Sequence, residues 1–247
     1  MIDIIYKKKR INIRSIWFCN EVSKSYAKRD IDIFHDSFGT FGFSSKHESL
    51  ICNLNQEENE LFRNISKNYR YEINKTQKDD FSIKFYNSIE LNRDINILAN
   101  FESEYRVFTK DKRIKNTFNK KAIRKYIDSG ALYLSSIVFN NNTLAQHIYI
   151  SNNNTARLLY SVSNFRRNNL NSTQVGMANK RLHWEDIVHF KNLGLTTYDW
   201  GGISDFDNPN GIDNFKMKFG GNKIEYNVNI VGISALGKFI VFLKRLI

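Results

Sequence analysis

The spacing of apolar and polar residues divides the chain into short strands and a few amphipathic helices. Strand-like segments alternate or cluster β-branched and aromatic residues, whereas helical segments repeat apolar positions every three or four residues. The pattern predicts strands at residues 2–6, 13–18, 31–35, 50–54, 81–86, 131–139, 143–150, 156–162, 196–200 and 224–231. It predicts helices at residues 56–65, 172–193, 212–219 and 235–247, and mainly helical structure across 88–125.

The order of the later elements predicts an α/β fold. Asparagine-rich turns join the three strands between residues 131 and 162, which favours a meander. The helix at 172–193 is long enough to connect strands 156–162 and 196–200 as a parallel pair. This order is similar to that of the GNAT acyltransferase fold, in which two neighbouring strands splay apart and receive the acyl donor. We therefore expect these two strands to be adjacent and to diverge at their carboxyl ends.

The stretch 196–221, TTYDWGGISDFDNPNGIDNFKMKFGG, combines the features of a site. We expect its strand to end at Gly201-Gly202, where backbone can adopt positive φ or lie against a ligand. A polar loop and a short helix follow, with Asp213 in the first turn of the helix. Asp199 then lies at the carboxyl end of a strand, one loop away from a helix amino end. Such an arrangement can hold an anionic group and orient an amine.

Composition adds a weak preference for an anionic partner. The 247 residues carry a formal net charge of +12, and 41% of them are hydrophobic, so the chain is globular and basic. An AT-rich genome also enriches lysine, so the charge has a second explanation. Cys19 and Cys52 lie in apolar segments without CxxC spacing, which favours buried, reduced thiols. The amino terminus has no apolar run of signal-peptide length, and we expect a cytoplasmic protein.

Three stretches resemble the FemAB-type peptidyl transferases of the GNAT superfamily. The first is residues 50–78, where a strand and a helix lead into ISKNYRYEINKTQK. The second is the strand and long helix within 158–193, and the third is YDWGG followed by NPNGIDNFKMKFGG. The chain departs from ordinary GNAT enzymes at residues 165–172, where FRRNNLNS replaces the glycine-containing loop that holds the pyrophosphate of coenzyme A. The resemblance covers roughly residues 47–235.

The resemblance implies a mixed, largely antiparallel sheet flanked by helices, with a reduced amino-terminal GNAT-like half. Residues 1–128 would form that reduced half, together with a basic helical segment. Residues 129–247 would form the complete acyltransferase subdomain.

The resemblance also implies roles for individual residues. Lys216 would offset charge on the reacting carbonyl, as a fixed cation stabilises an oxyanion, or else it is a solvated lysine. Asp199 would accept a proton or hold the acceptor, or else it caps the Gly-Gly turn. The acyl donor would contact Ser163, Asn164, Arg166, Arg167 and Phe215, and Ser172 is a candidate helix N-cap beside the donor's phosphates.

The acceptor would contact a basic, tyrosine-containing segment. Its residues are Lys67, Arg70, Tyr71 and Lys75, joined by Tyr198 of the YDWGG motif. The alternative is a basic helix face that contacts only water.

No metal site is expected from the spacing of metal-binding residues. His183 and His189 are six residues apart on one predicted helix, about 240° around its axis, and so cannot share an ion. Asp205 and Asp207 resemble a calcium loop only faintly, because Pro209 occupies a ligand position. The last helix has an apolar face that includes Leu236, Phe239, Ile240, Leu243, Leu246 and Ile247. We expect this face to dock on the core; contact with the inner face of a membrane is the alternative.

These observations predict an N-acyltransferase acting on an amine of a cell-envelope glycan precursor. The donor would be acyl-CoA, or alternatively aminoacyl-tRNA, and the acceptor an amino sugar linked to a nucleotide or lipid. A catalytically inactive GNAT-like domain that binds RNA or an anionic glycan is the competing hypothesis.

Overall fold

The computed structural model describes residues 1–19, 28–115, 117–164 and 171–246. The strands are β1 (Ile2–Lys8), β2 (Ile11–Trp17), β3 (Ile31–Ser37), β4 (Phe43–Asn53), β5 (Ser82–Asn87), β6 (Leu132–Phe139), β7 (Asn142–Ser151), β8 (Thr155–Ser163), β9 (Thr197–Ile203) and β10 (Asn222–Gly232). The helices are α1 (Glu58–Asn64), α2 (Lys67–Thr76), α3 (Ser88–Arg93), α4 (Ile95–Lys112), α5 (Lys120–Asp128), α6 (Ser172–Asn192), α7 (Gly211–Met217) and α8 (Ala235–Arg245).

All ten of these strands join one sheet, in the order β1-β2-β3-β10-β4-β9-β8-β7-β6-β5. The pairs β2–β3 and β8–β9 are parallel, and the other neighbouring pairs are antiparallel. The prediction of a mixed, largely antiparallel sheet is confirmed. The division of the chain into two subdomains at residue 128 stays a prediction. The sheet is shared by the two segments, because β10 of the second segment lies between β3 and β4 of the first.

Helices cover both faces of the sheet, since successive residues of a strand point to opposite faces. Tyr149 of β7 packs in a core with residues of α1, α2 and α6. Its neighbours Ile148 and Ile150 pack in a second core with residues of α4 and α5. The three-strand meander and the long helix α6 therefore lie where the hydrophobic pattern predicts them.

Two strand boundaries differ most from the predictions. β4 begins at Phe43 rather than residue 50, because its polar first half gains partners on β10, with Phe43 opposite Ile230. β9 continues through Gly201-Gly202 to Ile203 instead of ending there, and Gly202 pairs with Ser49 of β4. In both cases backbone pairing extends a strand beyond its apolar residues.

The last helix docks on the sheet, but the apolar face expected to do so is largely exposed. Val241 is buried and packs with Ile31 and Ile230, with Ile240 alongside. The face that points away from the sheet is here named the α8 stripe, and its members are Leu236, Phe239, Phe242, Leu243 and Leu246. The predicted docking is confirmed, but four members of the predicted face are exposed, because this short helix is apolar on more than one side. Ile247 lies outside the described residues. Across the described ranges, no helix combines the length and apolar character needed to cross a membrane.

Candidate active-site cleft

Strands β8 and β9 are adjacent and parallel only at their amino ends, and then they diverge. Thr155–Arg157 pairs with Thr197–Asp199, and no later residues of the two strands pair. A β-bulge bends β8 at this point: Leu158 lies opposite Tyr149 and Tyr160 opposite Ile148, so Leu159 is the extra residue. The predicted splay is confirmed, and the separated edges present backbone groups that a ligand can pair with.

Gly201 makes the turn of β9 away from β8 possible. Its φ is +72°, and a Cβ there would lie 2.8 Å from the carbonyl oxygen of Leu158. A side chain would thus be strained by the left-handed backbone and also collide with β8. The Gly-Gly pair of the sequence serves close packing at the fork of the two strands, rather than ending the strand.

A cavity of about 830 Å³ fills the space between the diverging strands. Its walls come from β8, β9, the amino-terminal half of α6, α7 and parts of α2 and α4. The lining residues that bear on the chemistry are Tyr69, Arg157, Ser163, Ser172, Asn179, Lys180, His183, Phe215 and Lys216. A volume of this size suits a ligand such as an extended acyl donor.

Lys216 projects from α7 into this cavity. A capping box of Asn210 and Asp213 fixes the start of the helix, and Asp213 is held in turn by the backbone N–H of Ser204. The Lys216 ammonium donates a hydrogen bond to the carbonyl oxygen of Gly202, 2.7 Å away. Burial, assisted by the nearby charge of Arg157, lowers the pKa of Lys216 to about 8. Because pH 7 lies below this pKa, the ammonium remains mostly charged at the wall of the cleft.

Asp199 lies beneath the fork and not in the cavity. It is completely buried, and one carboxylate oxygen accepts hydrogen bonds from the Ser49 hydroxyl at 2.5 Å and the Gly201 N–H at 2.7 Å. Arg157 approaches the same oxygen at 3.7 Å. Burial raises the pKa of Asp199, although the charge of Arg157 opposes the shift. These contacts hold the Gly-Gly turn in shape, which was the alternative considered for this residue.

Arg157 occupies the floor of the cleft and is anchored below it. Its Nε lies 2.5 Å from a carboxylate oxygen of Asp36, and its guanidinium lies over the ring of Trp17. Asp36 also contacts His47, 3.0 Å away. Because the buried Arg157 lies between the carboxylates of Asp36 and Asp199, it is suited to holding the base of the cleft rigid.

The residues predicted to contact the donor divide into three groups. Ser163 and Phe215 line the cavity, and Phe215 packs against His183 and Tyr69. Asn164 instead donates from its side chain to the carbonyl oxygen of Thr143, 2.8 Å away. Arg166 and Arg167 lie outside the described residues.

The start of α6 differs from the prediction at one residue. Asn171, not Ser172, is the N-cap, and its side chain accepts from the N–H groups of Thr173 and Gln174. Ser172 and Gly176 line the cleft at this end of the helix.

The residues predicted to contact the acceptor do not line the cavity, as far as the described residues define it. Lys67, Arg70, Tyr71 and Lys75 all lie on α2, where Tyr71 is 68% exposed and Arg70 donates to the carbonyl of Arg63. Tyr69 of the same helix does reach the cleft, and the ammonium groups of Lys180 and Lys218 lie over its ring. Tyr198 is completely buried below the floor.

A buried polar network under the cleft escaped the sequence analysis. His147 Nδ1 and the Tyr149 hydroxyl each lie 2.6 Å from one oxygen of Asp186. The Tyr149 hydroxyl is 2.8 Å from that of Tyr198, which is 3.3 Å from His183 Nδ1. The spacing of His183 and His189 on one helix does not reveal the network, because its members come from β7, α6 and β9. The sequence signals were His147-x-Tyr149 on one strand and His183 with Asp186 three residues apart on one helix.

The network brings three potential metal ligands together, but the rings are poorly oriented for a shared ion. Atoms of His147, His183 and Asp186 lie within 4.8 Å of one another. The two imidazoles are stacked, with centroids 3.8 Å apart and 19° between their planes. Imidazole binds metals through a lone pair in the ring plane, and stacked rings direct these lone pairs along nearly parallel planes. His189 lies elsewhere, stacked on Phe85. The expectation that the chain binds no metal stays a prediction.

The splayed strands, the crossing helix α6 and the cleft between them define a GNAT-like fold. FemX has a similar structure, with a TM-score of 0.59 and 12% sequence identity over 79% of this chain. The match spans 63% of FemX, which is less than two thirds of its length.

Two further solved structures share the fold. One is the C-terminal domain of a protein described as a lysylphosphatidylglycerol synthetase of Agrobacterium fabrum, with a TM-score of 0.56, 9% identity, and coverage of 87% of this chain and 72% of that one. The other is L-PGS from Bacillus licheniformis, with a TM-score of 0.51, 11% identity and the same two coverages. No protein-family model and no curated protein sequence matches the chain.

Proposed function

We propose that this protein is an acyltransferase that moves an acyl group from a donor in the cleft to an amine. The observation that supports it most is the forked β8–β9 pair with the Lys216 ammonium at the cleft wall. The acyl chain or the body of the donor would lie along the freed edge of β8. The carbonyl would then face the side of the cleft formed by α7.

In this reaction the amine nitrogen attacks the acyl carbonyl carbon directly. The new C–N bond forms as the carbonyl oxygen takes negative charge, and Lys216 stabilises that charge. The C=O bond then re-forms as the bond from carbon to the donor's sulfur or oxygen breaks. The amine nitrogen loses a proton, and the leaving thiolate or alkoxide takes one up from water. Cys52 is unsuited to covalent catalysis, because burial raises the pKa of its thiol to about 11 and it lies behind Trp200, away from the cleft.

We propose acyl-CoA as the donor, with aminoacyl-tRNA as the alternative. The 830 Å³ cavity and the cleft-facing residues Ser163 and Ser172 fit an extended thioester donor. The net charge of +12 supports the tRNA alternative, since it attracts a polyanion. Either donor is consistent with a cytoplasmic location, which we also propose.

For the acceptor we propose the amine of an envelope glycan precursor, an amino sugar carried on a nucleotide or on a lipid. The basic helix α2 borders the cleft through Tyr69, so its exposed Lys67 and Lys75 are placed to attract a phosphate of the carrier. That placement supports a phosphate-linked acceptor over a free sugar.

We further propose that the α8 stripe contacts an anionic membrane surface. Phe239 and Phe242 are each 57% exposed, and Lys238 lies beside them on the helix. An apolar stripe next to lysine, on a chain of net charge +12, has the composition of a helix that lies in a membrane interface. Phe239→Ser with Phe242→Ser should reduce cosedimentation with phosphatidylglycerol vesicles at least tenfold. The control variant Lys218→Ser, which changes an exposed residue outside the α8 stripe, should not. Equal binding by the double variant would contradict this contact.

The function is tested by incubating the protein with acetyl-CoA or aminoacyl-tRNA and a panel of acceptors, with products analysed by mass spectrometry. The panel contains nucleotide-linked amino sugars, polyprenyl-linked amino sugars and phosphatidylglycerol. A mass increase of one acyl group that is lost in Lys216→Ala but kept in Lys84→Ala, on the exposed edge strand β5, supports the proposal. Binding of RNA or glycan without any product, by protein that is folded, favours the alternative of an inactive binding domain, which the net charge supports.

A further inference from the structure

The buried network borders the cleft at two residues of α6, Asn179 beside His147 and His183 beside Tyr198. The tyrosine chain of the network meets the cleft at His183. This residue lies on α6, is 2% exposed and lines the cavity together with Lys216. Its Nδ1 faces the Tyr198 hydroxyl below the floor, and its Nε2 has no hydrogen-bond partner among the described residues. The ring therefore separates the cleft from the polar groups beneath it.

The direction of the hydrogen bonds follows from the carboxylate at the far end. An ionised Asp186 can only accept, so the Tyr149 hydroxyl donates its proton to it. The Tyr149 oxygen must then accept from the Tyr198 hydroxyl, since a tyrosine has one proton to give. The Tyr198 oxygen accepts in turn from His183 Nδ1–H. A neutral His183 with its proton on Nδ1 presents the bare lone pair of Nε2 to the cleft.

The surroundings of His183 disfavour its charged form. The titratable groups that face it are His147 on β7, Tyr198 on β9, Lys216 on α7 and Asp186 on α6 itself. Burial, followed by the charges of His147 and Lys216, holds the pKa of His183 well below its usual range. Simple protonation to an imidazolium is therefore costly, whereas a transfer that takes up one proton and passes on another leaves the ring neutral.

We propose that His183 Nε2 accepts the proton that the attacking amine must lose, and that Tyr198 and Tyr149 relay a proton to Asp186. The N–H bond of the amine breaks as Nε2–H forms, and His183 Nδ1–H passes to the Tyr198 oxygen. The Tyr198 proton passes to Tyr149, and the Tyr149 proton to Asp186, which becomes neutral. The same chain runs backwards to water in the emptied cleft, which resets it. This inference rests on the proposed acyl transfer.

Each link of the relay is a direct contact within hydrogen-bond distance, and the ring and the two hydroxyl groups can both donate and accept. The distances of 2.6, 2.8 and 3.3 Å leave no space for an intervening water molecule. Stacking on His147 fixes the plane of the His183 ring. His147, which donates to the same Asp186 oxygen, is a positioning residue that holds the carboxylate in place.

The test uses Tyr198→Phe and Tyr149→Phe, which remove single hydroxyl groups that do not line the cleft. Each should lower kcat at pH 7 by about 10² or more, with little change in KM for either substrate, because general-base assistance is lost while binding is kept. The loss should shrink at high pH, where hydroxide can take the proton that the amine nitrogen loses as it attacks. The matched control is Tyr126→Phe, since Tyr126 is also buried and hydrogen-bonded, to Trp17, but belongs to the other core.

A second measurement needs no substrate. In protein labelled with ring-¹⁵N histidine, His183, assigned from the signals missing in His183→Gln, should show a protonated Nδ1 and an unprotonated Nε2 at pH 7. A proton on Nε2 would overturn the proposed direction of the chain. Wild-type turnover by a folded Tyr198→Phe variant would overturn the relay while leaving acyl transfer intact, whereas wild-type protein without any product would contradict the proposed function itself.

Discussion

Replacing Lys216 by alanine removes an ammonium held 2.7 Å from the Gly202 carbonyl at the cleft wall. If this charge stabilises the oxyanion, kcat should fall by about 10²–10³, the usual result of losing one such donor. KM should change little, because the interaction strengthens only as charge develops on the carbonyl oxygen. Steady-state kinetics with the donor and acceptor found by mass spectrometry provide the measurement.

The pH dependence gives a sharper form of the same prediction. Burial and the charge of Arg157 lower the pKa of Lys216 to about 8, so the ammonium is present below that pH and lost above it. The charged fraction is then about 90% at pH 7 and about 10% at pH 9. Turnover that depends on the charge should therefore fall about tenfold between these two pH values.

Lys216→Arg separates charge from the other properties of the side chain. Arginine stays charged across this range, so the variant should lose the alkaline decline, although its planar head should restore only part of the rate. Lys84→Ala, on an exposed residue of the edge strand β5, should behave as wild type. An alanine variant with near-normal turnover would refute the role of Lys216, and an arginine variant that keeps the alkaline decline would assign that decline to another group.

Three stability predictions complete the set. Lys216→Met should raise the free energy of unfolding at pH 7 by about 1–2 kcal/mol, a value discounted for partial solvent access. Between the folded pKa of about 8 and the unfolded pKa of 10.5, the unfolded state binds more protons, so the stability of the wild type rises with pH. The gain from the substitution should therefore vanish towards pH 10.5. In urea unfolding, Gly201→Ala should lower the free energy of unfolding more than Gly130→Ala does. Both glycines have positive φ, which strains an alanine by about 1–2 kcal/mol. Only the new Cβ at residue 201 would also meet a carbonyl oxygen, at 2.8 Å. Asp199→Ala should lower stability by about 3 kcal/mol by leaving Arg157 poorly paired, and a variant that instead loses only turnover would show that the carboxylate acts in catalysis.

The sequence predicts the fold of this protein better than it predicts the site. The long helix between two short strands is enough to predict the parallel β8–β9 pair, because a parallel connection needs a crossover of that length. The Gly-Gly pair was predicted to end the strand, but β9 continues past it, and Gly201 instead packs against Leu158, which lies about 40 residues earlier in the chain. A contact of this kind leaves no periodic signal.

The candidate site shows the same limit in its side chains. Lys216 and Phe215 belong to one local motif and do line the cleft. The relay through His183 and Asp186 needs β7, α6 and β9 in register, so no local spacing reveals it. Four members of the exposed α8 stripe were predicted to dock on the core, because a helical pattern identifies an apolar face but not what lies against it.

The position of β10 has a consequence for how the protein is made. β10 joins β3 to β4, with residue 229 opposite residue 34, so the sheet closes through contacts between distant parts of the chain. Such contacts slow folding, because a long loop must be ordered before they form. During synthesis, β3 and β4 each keep one edge unpaired until residues 222–232 leave the ribosome. Unpaired strand edges pair readily with other chains. β10, the last of the described strands to emerge, therefore closes the sheet and removes the edges through which the nascent protein could aggregate.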